Sequence, residues 1–60
     1  MTNANKENMM NSELLAIAVL VKEQNIKSSF VRDLRIVELL KSEGLSWVMV
    51  DKVNEIIENL

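Results

Sequence analysis

The sequence predicts an all-α fold: a small three-helix domain with a helix-turn-helix-like corner, expected to pair as a homodimeric helical bundle. Three observations carry that expectation. Of the 60 residues 48% are hydrophobic and none is proline. From Phe30 to Leu60 the apolar positions recur at helical spacings of three and four. The single glycine, Gly44, falls between two such periodic segments, where a helix needs a stop.

Residues 1–11, MTNANKENMMN, are rich in asparagine and lack periodicity, so they are read as a flexible N-terminal leader. Met9 and Met10 are the residues of that stretch that could pack back on the core. The three-helix domain is expected over residues 12–60.

Helix one is predicted from about Glu13 to Gln24. Ser12 supplies an oxygen to cap its orphan amides, Glu13 and Lys22 complement its dipole at the two ends, and Asn25 is a stop. Its eight consecutive apolar residues, LLAIAVLV at 14–21, wrap the whole circumference. Such a helix has to be covered on most sides. Leu14, Ile17, Leu20 and Val21 are therefore expected to supply a dimer contact. The competing reading is a dense monomer with exposed Leu and Val, which soluble proteins tolerate.

Helix two is predicted from about Phe30 to Glu43, capped by Ser28 or Ser29. Phe30, Leu34 and Val37 share one face, and Ile36 and Leu40 lie on the adjoining one. Val31 and Leu39 widen the apolar surface, so neighbours on more than one side are expected. Helix three is predicted from about Trp47 to Asn59. Met49, Val50, Val53, Ile56, Ile57 and Leu60 form its apolar stripe, with acidic and amide residues opposite. Its opening, WVMV, has strand propensity, but the helical period continues to the end of the chain.

The corner between these helices is specified residue by residue. With Gly44 just past the end of helix two, Leu45 and Leu40 become the pair that touch in a Schellman stop. Ser46 then caps helix three, and Leu45 can staple onto Val50. Gly44, Leu45, Val50 and Val53 also resemble the turn glycine and core positions of the helix-turn-helix DNA-binding motif, over about twenty residues. That resemblance implies a groove-reading face of Ser46, Trp47, Val48, Asp51, Lys52 and Glu55. Two departures stand against it: Leu40 where the motif carries a small alanine, and Glu43 at an apolar position. Bases and phosphates are held mainly by Arg, Lys, Asn and Gln, whereas this face carries one lysine, two carboxylates and two large apolar groups. Trp47 and Val48 lie off the main stripe and suit a protein surface better; the alternative is that Trp47 folds back over helix one.

Composition narrows the functional classes. Neither cysteine nor histidine is present, so disulfides are absent, the usual zinc ligands are missing, and so are the usual thiol nucleophile and general base. One glycine cannot build a phosphate-binding loop. No enzyme activity, cofactor or metal is expected. The net charge is −2, with regional imbalance. Residues 22–41 are net basic through Lys22, Lys27, Arg32, Arg35 and Lys41, and residues 42–60 are net acidic. The apolar run 14–21 is far short of the roughly 20 residues that span a bilayer. Glu7 and Glu13 precede it and no small-residue cleavage site follows, unlike a signal peptide. A cytoplasmic protein without membrane contact is expected.

Two functions follow as expectations. The first is a small non-enzymatic protein–protein interaction module or regulatory adaptor acting as a dimer. The second is a small DNA-binding transcriptional regulator, whose dimer would pool Lys22, Lys27, Arg32, Arg35 and Lys41 on phosphates.

Overall fold

The computed structural model describes the backbone of residues 2–60 and the side chains of residues 11–60. Three α-helices follow one another: α1 (Thr2–Gln24), α2 (Ser29–Ser42) and α3 (Val50–Asn59), the last preceded by a 3-10 turn at Trp47–Met49. The fold is all-α, as the spacing of apolar residues predicts, and no strand occurs among the described residues.

The first helix departs from expectation at its start. Its backbone is helical from Thr2, so residues 2–11 continue α1 where a flexible leader is predicted, and Ser12 lies inside the helix. Ser12 therefore does not cap α1. The stretch before it contains neither proline nor glycine, and nothing in it stops a helix from extending upstream. The expected packing of Met9 and Met10 falls outside the described side chains. At the other end Asn25 takes the left-handed conformation, φ 51°, and its amide donates to the Lys22 carbonyl at 3.1 Å. Asparagine tolerates that region better than most residues, because its short polar side chain can bond locally.

Ser28, in extended conformation, caps α2: its hydroxyl oxygen accepts from the Val31 amide at 3.3 Å. The far end of α2 closes as a Schellman stop. Gly44 sits at φ 72°, its amide donates to the Lys41 carbonyl at 3.0 Å, and the Leu45 amide donates to the Leu40 carbonyl at 2.8 Å. These are the two reversed bonds that define the motif. Leu45 then packs against the buried cluster that contains Leu40, so one turn joins helix termination to core formation.

Ser46 also caps, but what it caps differs from expectation. Its hydroxyl oxygen accepts from the Val48 amide at 3.3 Å, and the turn it opens is 3-10, with α3 beginning three residues later at Val50. The β-branched, aromatic residues that lower helix propensity here occupy the tighter turn.

The core is one cluster. Leu14, Ile17, Ala18 and Val21 of α1 meet Ile36 and Leu40 of α2 and Val53 and Ile57 of α3, all buried. Ile26, Leu39, Leu45, Met49, Val50 and Ile56 close its margins. α1 lies against both other helices. Its inner positions, spaced three and four apart, make a single face. Among the described residues no charged or polar side chain is buried, so this cluster coheres by apolar burial, about 1.5–3 kcal/mol for each large side chain. Among the described residues two polar links join the helices outside it. Arg35 Nε donates to Gln24 Oε1 at 3.3 Å, tying α2 to the end of α1. Asn54 Nδ2 donates to Asp33 Oδ1 at 2.9 Å, tying α3 to α2.

Candidate interaction surfaces

Enclosing the core leaves two apolar surfaces open. Among the described residues nine large hydrophobic side chains stay exposed: Leu15, Val19, Leu20, Phe30, Val31, Leu34, Trp47, Val48 and Leu60. Most fall into two separate groups, one on α1 alone and one between α2 and the turn that opens α3.

The first group follows from the all-round apolar run. Since Leu14, Ile17, Ala18 and Val21 turn inward, helical geometry sends Leu15, Ala16, Val19 and Leu20 outward. With Ser12 and Glu23 they form one stripe on the outer face of α1. Leu15, Val19 and Leu20 keep 46%, 39% and 44% of their surface in solvent. This corrects the expected dimer contact. Leu14, Ile17 and Val21 are buried within the single chain and present nothing to a second one. Leu20 does remain available, beside Leu15 and Val19, which the sequence did not single out.

The second group is a groove of about 320 Å³. Phe30, Leu34 and Val37 of α2 form one wall, and Trp47, Val48 and Val50 form the other. The 3-10 turn accounts for the second wall, because residues three apart eclipse in that geometry. Trp47 and Val48 thereby line the groove together with Val50 at the core margin. Phe30 and Trp47 are 70% and 67% exposed. Trp47 therefore does not fold back over α1; it stands in the groove. The face of α2 that enters the core is that of Ile36 and Leu40, and the stripe of Phe30 and Leu34 is left outside it.

Two charged side chains line the groove, Asp33 and Asp51. Asp33 accepts the Asn54 amide bond, and among the described residues neither carboxylate is paired with a cation. Of the cations expected to meet phosphates, Arg35 is engaged with Glu38 at 2.9 Å as well as with Gln24. Arg32 is half-buried, and Lys22, Lys27 and Lys41 are exposed. Lys52, the one cation of the face that would enter a DNA groove, lies 3.4 Å from Glu55.

Among the described residues no three acidic side chains gather in a way that could hold a metal ion, and no helix is long and apolar enough to cross a membrane. No protein-family model, curated protein or solved structure matches the chain, so its surfaces are the guide to what it does.

Proposed function

We propose that this protein is a small non-enzymatic interaction module, a regulatory adaptor that works as a homodimer and docks another protein. The observation that carries the dimer is the outer stripe of α1. Its positions 12, 15, 16, 19, 20 and 23 read with the same spacing from either end. A second copy laid antiparallel across it therefore presents the same stripe in the same register, which is what a twofold interface requires. Leu15 of one copy comes level with Leu20 of the other, and Ala16 with Val19. Ser12 comes level with Glu23, a hydroxyl donor with a carboxylate acceptor. The small side chains of Ser12 and Ala16 let two helices approach to about 8 Å.

The stripe offers only a few side chains from one helix, so the proposed dimer is of the weak, reversible class. Sedimentation equilibrium over a concentration series tests it: the mass rises from 6.9 kDa toward twice that value. A folded species that stays at the monomer mass into the high micromolar range refutes the dimer.

Lys52 held by Glu55 and two carboxylates in the groove favour a protein over a duplex as the docked partner, since clustered cations carry phosphate binding.

A further inference from the structure

The docked partner acquires a chemistry from the groove between α2 and the start of α3. Its walls hold the largest exposed apolar side chains in the chain, Phe30 and Trp47, with Leu34 and Val48 at 51% and 58% exposure beside them. A contiguous apolar surface of this kind next to polar groups is characteristic of interaction sites. The backbone on both sides is helical, so no free strand edge is offered and main-chain pairing cannot supply the affinity. Side chains have to do so, as when the apolar face of a helix lies in a groove. About 320 Å³ takes one or two bulky side chains of such a helix.

Charge then selects among possible helices. Asp33 and Asp51 are the charged groups lining the groove, and neither has a cation partner among the described residues. An acidic partner would be repelled and a neutral one would leave both carboxylates partly desolvated without compensation. A helix with Lys or Arg flanking its apolar face would pair both. We infer that this groove docks a basic amphipathic helix of another protein, inserting large apolar side chains between Phe30, Leu34 and Trp47 while its cations meet Asp33 and Asp51. The inference rests on the adaptor half of the proposed function and is independent of the dimer.

Trp47 is the only tryptophan, so the groove reports its own occupancy through fluorescence. The probe is a synthetic amphipathic helix of about 18 residues with leucine at positions i, i+3, i+4 and i+7 and lysine elsewhere. A second peptide carries glutamate in place of every lysine. The lysine peptide should produce a saturable blue shift of Trp47 emission, and the glutamate peptide none. The pair Asp33→Asn with Asp51→Asn should weaken the lysine peptide about fivefold, its amide oxygens still able to accept from Asn54. Glu43→Gln with Glu58→Gln, matched in net charge but absent from the groove lining, should leave binding unchanged.

Equal responses to the two peptides would overturn the cationic partner while keeping the groove as a docking site. Equal weakening by both variant pairs would reduce the effect to general attraction by an acidic protein and overturn it likewise. No response to either peptide would overturn docking in this groove altogether. A blue shift on raising the protein concentration alone would make the groove a contact between copies, which also overturns the inference.

Discussion

Replacing Gly44 with alanine isolates the conformational demand at the corner. Gly44 holds φ 72°, and a Cβ added there meets no heavy atom within 4 Å. Crowding therefore contributes nothing, and the cost comes from placing an L-residue in the left-handed region, about 1–2 kcal/mol. Alanine also narrows the unfolded ensemble, which returns about 0.4–1 kcal/mol. The net loss is about 1 kcal/mol. A chain of this length has a small stability reserve, on the order of 3–9 kcal/mol, so the midpoint of thermal unfolding should fall by about 4–8 °C. Gly44→Asn should cost less, because asparagine enters the left-handed region more readily. Circular dichroism melts of the three proteins measure this, at one fixed concentration because self-association raises apparent stability. An alanine variant as stable as the parent would show that residue 44 is not left-handed in solution. An asparagine variant worse than alanine would point to side-chain bulk as the cause and refute the backbone argument.

Four further substitutions separate the roles assigned to other residues. Ser28→Ala removes the oxygen that accepts from Val31 and should cost about 1 kcal/mol, whereas Ser12→Ala, within α1, should be neutral or slightly stabilising because alanine is the better helix former; denaturant titration of both variants checks the contrast, and an equal loss at Ser12 would restore it as a cap. Leu40→Ala, at a fully buried position where all three helices meet, should lose about 2–5 kcal/mol, visible as a large drop in denaturant midpoint. Leu20→Glu alters a side chain 44% exposed; it should leave the helical circular dichroism signal intact while weakening dimerisation about tenfold, since each of the two copies loses about half of the roughly 1.5–3 kcal/mol of a full apolar burial, as read by sedimentation.

Which features were legible in the sequence depended on how local their physics is. Asn25, Ser28, Gly44 and Ser46 act through bonds to residues two to four positions away, so their types and spacing announce the turns. The start of α1 was not legible, because a serine before an apolar run looks the same whether it caps a helix or sits inside a longer one. The inward face of α1 was hidden for a different reason. A run that is apolar all round has no preferred direction, and only packing against Ile36, Leu40, Val53 and Ile57 selects Leu14, Ile17, Ala18 and Val21. On α2, two adjoining apolar stripes were visible, yet their spacing alone does not say which one enters the core. The groove depends on that choice and on the 3-10 geometry of Trp47–Met49, neither of which periodicity encodes. Trp47 and Val48 could be singled out as lying off the main stripe of helix three; Phe30 and Leu34, the other wall of the groove, could not.

The claim that two copies meet through the outer face of α1 can be tested by oxidation of single-cysteine variants, since the native chain has no cysteine. Helix geometry puts residue 16 of two antiparallel copies about 5 Å apart along the helix axis, within reach of a disulfide once the helices breathe. Glu58, near the exposed end of α3, is remote from that stripe in sequence and absent from it. Under mild oxidant at micromolar protein, Ala16→Cys should convert to a covalent dimer much faster than Glu58→Cys. Conversion of Glu58→Cys at an equal or greater rate would place the contact elsewhere and contradict the antiparallel α1 dimer.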